Sequence, residues 1–224
     1  MQYLFFDIEC CDGNHMCSIG YVIIDDYFKI KEKQDILINP QYRFKKSRSG
    51  FDPRIQLAYS VETFKQSKTF FCLYEKIKKI LMTSNQVLLG HSVTSDIQFI
   101  KSACKRYNLP QIELEAFDTQ IIFSKFKHDK RSYSLIDIVN DLNIDVSHLK
   151  EHKSSDDAEM SMLVIKEICS RSNISIGKLL RLYSSCKKTP KRKIHSEGAI
   201  YNVLQKALEK KGMSLDKYME SLKK

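Results

Sequence analysis

The sequence predicts an α/β fold, a mixed sheet with helices packed on its faces, followed by a small basic helical extension. Three observations predict it. Three strand-like segments open the chain, with connections too short for a crossover helix. Helical and strand-like periods then alternate. Finally, the charge is split. Residues 174–224 hold 13 of the 37 Lys/Arg and 4 of the 27 Asp/Glu, a net of +9, which leaves +1 for residues 1–173.

Residues 3–9 (YLFFDIE) read as the first strand and 17–25 (CSIGYVIID) as the second. Residues 27–38 read as a third, whose Lys/Glu alternation marks an exposed edge. The short connections favour an antiparallel meander. Residues 39–56 form a basic loop with Arg43, Lys45, Lys46 and Arg48. Helical spacing over 69–82 puts Phe70, Leu73, Ile77, Ile80 and Leu81 on one face. Residues 86–90 (QVLLG) are a short buried strand, and a helix over 95–107 buries Ile97, Ile100 and Cys104. Residues 112–117 supply a fifth strand. Asp118 or Thr119 caps a helix that runs to Phe126, and 134–142 is another helix. Ser154 and Ser155 are candidate caps of a long helix over 156–171, with Ala158, Met162, Ile165 and Cys169 inward. The composition changes near Ser172, giving a first domain over 1–172 and an extension over 173–224. The extension contains a helix over 174–185, a basic linker over 187–193 (KKTPKRK) and short helices over 199–211 and 214–222.

A chain of 224 residues suffices for one well-buried domain and an appendage. No segment reaches the roughly 18 consecutive apolar residues of a membrane helix. The opening run lacks a basic start and is soon interrupted by carboxylates, unlike a signal peptide. A cytoplasmic protein without a membrane partner is the expectation. The seven cysteines form no Cys-x-x-Cys pair and read as small core residues in a reducing compartment, not as a zinc site. The basic extension points to a polyanionic partner, most often nucleic acid, although a merely solubilising surface has the same composition.

Three groups of residues carry the candidate chemistry. Asp7 and Glu9 lie two apart on the first strand, so they face the same way, while Leu4, Phe6 and Ile8 face the other. Two acids side by side at the end of an apolar strand are costly without a cation, and hard divalent metals suit them. A solvated strand end would explain the pair as well. Asp96 follows the strand at 86–90 after a short turn, at the start of a helix. Such positions gather ligands, or simply complement the helix dipole. His152 precedes a helix, where a loop histidine can act as a general base, and Asp157 lies in that helix's first turn. Asp156 competes with Asp157, and His148 is a candidate accessory residue.

In this order the three groups resemble the 3′–5′ proofreading exonucleases of the DEDDh type, the family of the epsilon subunit of bacterial DNA polymerase III. The first family motif is an apolar strand ending in Asp-x-Glu, here Phe5-Phe6-Asp7-Ile8-Glu9. The second is a histidine-led turn and an aspartate, here His91-Ser92-Val93-Thr94-Ser95-Asp96. The third is a histidine five positions before an aspartate and alanine, here His152 to Asp157-Ala158, a spacing that selects Asp157 over Asp156. Ile19-Gly20, Asn39-Pro40, Asp118-Thr119 and Ser134-Leu135 are smaller echoes. The resemblance covers residues 1–172. The chain departs from the family at Cys10-Cys11, where threonine is usual, at His91-Ser92, where His-Asn is usual, and at Ser95, where phenylalanine is usual. The departures lie in substrate contacts, so Cys10, His91 and Ser92 are the substrate-binding candidates.

The resemblance implies a ribonuclease H-like, five-stranded mixed sheet flanked by helices. It also implies phosphodiester hydrolysis with two divalent cations, Mg²⁺ or Mn²⁺. Asp7 would touch both cations, Glu9 and Asp157 would complete one site, Asp96 would help hold the other, and His152 would be the base. The implied substrate is a single-stranded or frayed 3′ end of DNA, and the products are nucleoside 5′-monophosphates. A ribonuclease of the same family, and a non-catalytic nucleic-acid-binding or scaffold protein, are the alternatives. The scaffold is disfavoured because none of the four acids or the histidine is missing. In the extension, Lys187, Lys188, Lys191, Arg192 and Lys193 would hold the strand near the pocket, with Tyr183 and Tyr201 stacking on bases or filling small helical cores. Otherwise the extension docks a DNA polymerase or another replication or repair protein.

Overall fold

The computed structural model describes residues 1–44 and 57–188. Its first strand, β1 (Gln2–Cys10), is apolar on both faces and therefore lies inside the sheet. Tyr3 and Phe5 point into one core, and Leu4, Phe6 and Ile8 into the other. β2 (Met16–Ile24) and β3 (Ile30–Leu37) follow in the expected antiparallel meander. β3 starts later than residue 27 because Asp25 turns the chain. Its Oδ1 accepts the N–H groups of Tyr27 and Lys29 at 3.0 Å each, and Phe28 takes a φ of 61°.

β4 (Gln86–Gly90) pairs parallel to β1, and β5 (Ala116–Asp118) pairs parallel to β4. β5 is shorter than the expected 112–117, since β4 meets it only at Leu88, Leu89 and Gly90. Ile112 and Leu114 keep the period of a strand by burying into the second core without a ladder. A sixth strand, β6 (Lys187–Lys188), pairs antiparallel to β5 and completes the order β3-β2-β1-β4-β5-β6. It comes from the stretch expected to be a linker. Its two lysines carry no strand signal of their own, and the open edge of β5 recruits their backbone.

α1 (Val61–Gln66) was not visible in the periodicity because it is six residues long and buries only Phe64. Ser60 caps it by accepting the Thr63 N–H at 3.1 Å. α2 (Phe70–Leu81) and α3 (Thr94–Arg106) cover the Leu4/Phe6/Ile8 face. α4 (Thr119–Phe126), α5 (Leu135–Leu142), α6 (Ser154–Ser172) and α7 (Ile176–Leu182) cover the other. Asp118 is the cap of α4, accepting from the N–H groups of Gln120 and Ile121, and Ser134 with Asp137 forms a capping box on α5. α6 is buried nearly all round and differs from expectation at its start. Lys153 is the cap residue, without a side-chain bond, and Ser154 and Ser155 lie inside the first turn. Their hydroxyls are committed to the sheet, as described below. Cys11, Cys17, Cys104, Cys169 and Cys186 are buried among apolar side chains, while Cys72 is exposed.

The compositional change near Ser172 is not where the packing ends. Ile176, Leu179, Leu180 and Cys186 are buried in the first core, Tyr183 packs against it, and Met1–Pro190 group as one compact unit. The expected helices at 199–211 and 214–222, Tyr201, and the basic residues Lys45, Lys46, Arg48, Lys191, Arg192 and Lys193 lie outside the described residues. A chain ending at Ser172 is expected to lose at least roughly 5 kcal/mol, because each buried Ile or Leu contributes about 1.5–3 kcal/mol. A chain ending at Pro190 retains these side chains and is expected to be the more stable of the two. Urea denaturation of the two truncations checks this, and equal midpoints would show that α7 is dispensable.

Candidate active site

The strand register lays out the site. Asp7 stands opposite Gly20, and Gly20 opposite Asp35, in one row across β1, β2 and β3. In the next row Glu9 stands opposite Ser18. Both rows lie on the face covered by α6. A Cβ at Gly20 would fall 2.0 Å from the Ser155 nitrogen and 2.1 Å from the Ser154 carbonyl carbon. The first turn of α6 therefore rests on bare backbone, and glycine is required there for close approach.

That seating delivers two further groups. His152 precedes α6 in the left-handed region, with a φ of 60°, and its Nδ1 lies 3.5 Å from Glu9 Oε1. Non-glycine residues adopt this conformation rarely, and at functional sites more than elsewhere. Glu9, His152 and Asp157 each offer a ligand atom within 4.8 Å of the others. Asp96 arrives from the first turn of α3. β1 and β4 run parallel, so the turn from β4 to α3 meets the carboxylate end of β1. Asp96 is 4% exposed, and its Oδ2 has no hydrogen-bond partner.

The electrostatics follow from this crowding. Burial drives the Asp7 carboxyl well above the ordinary range, and Asp96, Asp157, Glu9 and Asp35 add to it by repulsion. Burial, Glu9 and Asp118 raise Asp96, against one hydrogen bond from the Ile8 backbone. Asp157 is pushed up to about 7 by burial and by Glu9. His152 is raised to about 8 by its hydrogen bond with Glu9, against the opposing effect of burial. An unpartnered buried oxygen among acids that raise one another fits divalent cations with hard oxygen ligands.

A pH dependence follows for the metal-free protein. The folded pKa of Asp157 lies above its unfolded value of 3.8, so the folded state holds the proton more tightly. Stability is full below the unfolded value and is lost as pH rises to about 7, roughly 4 kcal/mol at about 1.4 kcal/mol per unit. His152 acts with the same sign between 6.5 and about 8. Melting temperatures in a chelator are expected to fall from pH 5 to pH 8. A flat or rising profile would contradict the crowding of the site.

The other candidates sit around this cluster. Cys10 ends β1 at a register irregularity beside Glu9, and burial keeps its thiol protonated. His91 is directed into the fold. Its Nε2 lies 3.1 Å from the Tyr133 carbonyl, and burial lowers it to about 4, so the ring is neutral. Ser92 takes a φ of 53°, and its N–H donates to Asp118 Oδ1 at 3.2 Å. His91 and Ser92 thus brace the turn between β4 and α3. Asp156 points away from the cluster, pairing with Lys33 at 2.5 Å and accepting the Lys150 N–H at 3.0 Å. Asp157 is the acid that joins Glu9 and His152. His148 is largely exposed, 3.8 Å from Glu159, and is not part of the cluster. Asp35 and Tyr59, which hold the start of α6, were missed in the sequence. The meander could have revealed Asp35, because tight hairpins carry the row from Asp7 through Gly20 to it.

Comparison with known proteins identifies the family and the fold. A family model described as DNA polymerase III subunit epsilon-like, C-terminal domain (DEDDh_C), matches residues 12–168. No curated protein matches the chain. Among solved structures, a 3′-exonuclease described by its 3′-end-specific recognition of the histone mRNA stem-loop is similar with a TM-score of 0.62 and 11% identity, over 86% of this chain and 71% of that one. The nuclease domain of 3′hExo, a DEDDh family member bound to rAMP, gives 0.60 and 16% over 76% and 91%. E. coli Exonuclease I in complex with a dA16 oligonucleotide gives 0.59 and 12% over 82% and 43%, so the chain spans less than half of that enzyme. At such identities the likeness is one of fold, and the ribonuclease H-like architecture is shared. The family match covers more than half of the chain, which therefore belongs to the DEDDh family of DNA polymerase III epsilon-like 3′–5′ exonucleases.

Proposed function

We propose that the chain is a divalent-metal-dependent exonuclease that hydrolyses the terminal phosphodiester bond at the 3′ end of DNA. The observation that carries this reading is the convergence of Asp7, Glu9, Asp96 and Asp157 beside His152, with one buried carboxylate oxygen left unpartnered. Asp7, Glu9 and Asp157 would hold one cation, and Asp7 with Asp96 a second. Bound there, two cations neutralise the charge that develops on the phosphate and the leaving oxygen. His152 accepts a proton from the attacking water. The pull of Glu9 that raises His152 is relieved once Glu9 serves as a ligand, so the imidazole is neutral when the proton must be taken. Water adds to phosphorus, the bond to the 3′ oxygen breaks, and that oxygen takes a proton from solvent. The products are a nucleoside 5′-monophosphate and a strand one residue shorter. Cys10 would contact the terminal nucleotide, and His91 and Ser92 would brace the turn that carries Asp96.

RNA is the second substrate reading. It is favoured by the neighbours described with a histone mRNA stem-loop and with rAMP. The test is degradation of 5′-labelled DNA and RNA strands with Mg²⁺ or Mn²⁺, beside Asp7→Ala and His152→Ala. A metal-dependent ladder shortening from the 3′ end of DNA, absent in both variants, is the expected result. A ladder that persists undiminished in Asp7→Ala removes the assigned site. Absence of nucleotide release from the wild type leaves a binding or scaffold role. The reading is of an enzyme in the cytoplasm, and among the described residues no helix is long and apolar enough to cross a membrane.

The basic extension is assigned to holding the strand near the site, and docking a DNA polymerase is the competing role. Residues 191–224 can be removed without touching α7 or β6. That truncation is expected to raise KM at low salt and to flatten the dependence of log KM on log salt by about 0.7 for each phosphate the extension neutralises. Identical KM values across a salt series would refute the tether.

A further inference from the structure

We propose that Asp35, outside the four acids and histidine of the family, is a positioning residue that fixes the start of α6 and so sets Asp157 and His152 against Asp7 and Glu9. Its carboxylate is only 9% exposed and makes four hydrogen bonds. Oδ1 accepts from Ser154 Oγ at 2.9 Å and from the Ser155 N–H at 2.8 Å. Oδ2 accepts from Ser155 Oγ at 2.6 Å and from the Tyr59 hydroxyl at 2.9 Å. Ser18 Oγ lies 2.9 Å from Ser154 Oγ and donates to it, because the one Ser154 hydroxyl proton goes to Asp35.

Three features make this more than a buried polar contact. First, α6 has no side-chain cap of its own, so an acid from β3 supplies the acceptor that a local cap normally would. A carboxylate there also complements the positive end of the helix dipole. Second, the register puts Asp35 in the same row as Asp7, with Gly20 between them. The helix start is thus seated on a glycine and flanked by one carboxylate of the site and one that holds the helix. Third, Tyr59 connects the same carboxylate to the segment whose Ala58 N–H donates to the His152 carbonyl at 3.2 Å. His152 is therefore held from the helix side and from the Ala58 side. Groups that orient ligands from behind typically change metal affinity or activity by about 10- to 100-fold when removed.

The inference rests on the exonuclease reading, and two readouts separate their failures. One is Mn²⁺ alone, titrated against the melting temperature of the full chain. The other is kcat and KM on a 5′-labelled DNA strand. Asp35→Ala is expected to raise the Mn²⁺ midpoint and to lower kcat, each by about 10- to 100-fold, while KM moves by less than about threefold. Asp35→Asn keeps an oxygen for Ser154 Oγ and the Ser155 N–H, and is expected to restore most of both. A folded Asp35→Ala with the wild-type Mn²⁺ midpoint and kcat overturns the proposal, and so does a loss confined to KM. If Asp35→Ala does not fold, Ser155→Ala, which removes the Oγ bond to Asp35 Oδ2, decides: a raised Mn²⁺ midpoint supports the proposal, and a wild-type midpoint overturns it. A wild-type chain that binds Mn²⁺ but releases no nucleotide defeats the exonuclease reading, and the Mn²⁺ midpoints still decide on Asp35.

Discussion

Asp7→Asn is expected to lose exonuclease activity by at least about a thousandfold, on the order of 4 kcal/mol of transition-state stabilisation, and yet to melt at a higher temperature than the wild type in the absence of metal. The two effects share one cause. Asp7 is the carboxylate most crowded by others, with Asp96, Asp157, Glu9 and Asp35 all raising it on top of burial. Above its unfolded pKa the wild-type fold works against that repulsion, and a neutral amide of the same shape does not. The gain is therefore absent at low pH and grows as pH rises. Divalent metal reverses the ranking. A hundredfold excess over Kd stabilises the wild type by about 2.7 kcal/mol, roughly 5–10 °C for a domain of this size. Asp7→Asn lacks the ligand and is expected to show little of that rise. Melting curves at pH 8 with a chelator and with Mn²⁺ test the prediction. A variant that melts below the wild type without metal would remove the claim that the site is strained by its own charge.

Much of the architecture was legible in the sequence, for identifiable reasons. β1, β2 and β4 are short apolar runs between turn signals, and α2, α3 and α6 repeat apolar residues at helical spacing. What escaped is what depends on neighbours. β6 exists because β5 has an open edge, and β5 is short because β4 pairs with it only from Leu88 to Gly90. α7 belongs to the first core although its surroundings are basic. In the site, period-two alternation places Asp7 and Glu9 together without further help. The choice between Asp156 and Asp157 needed either the family spacing or Lys33, which draws Asp156 away across the helix. His91 looked like a substrate contact, and its ring meets Tyr133, Gln120 and Thr119. The Lys/Glu alternation of β3 looked like a solvated edge. It also reaches inward, since Lys33 and Asp35 both hold the first turn of α6. A one-dimensional reading finds charged residues on an edge strand, but not which helix they hold.

Gly20→Ala tests that three-dimensional arrangement most severely. One methyl group would lie 2.0 Å from the Ser155 nitrogen and 2.6 Å from the Ser154 carbonyl oxygen. These are backbone atoms of a buried helix, which cannot rotate aside as a side chain would. The helix start must withdraw by roughly 1–1.5 Å to regain van der Waals distance. Overpacking of this kind costs about 1–3 kcal/mol or more, and retreat from the sheet also lengthens the Asp35 bonds to Ser154 and Ser155. Asp157 and His152 move with the helix, and a misplacement of about 1 Å costs on the order of a hundredfold in rate. Gly20→Ala is therefore expected to lower the melting temperature with and without metal, to weaken the Mn²⁺-induced rise, and to cut kcat about a hundredfold. Asp7→Asn moves the metal-free melting temperature the opposite way, so the pair separates electrostatic loss from geometric loss at one site. A Gly20→Ala chain with wild-type stability and turnover would mean that α6 does not rest on β2 at this point. The placement of His152 and Asp157 against Glu9 would then need another explanation.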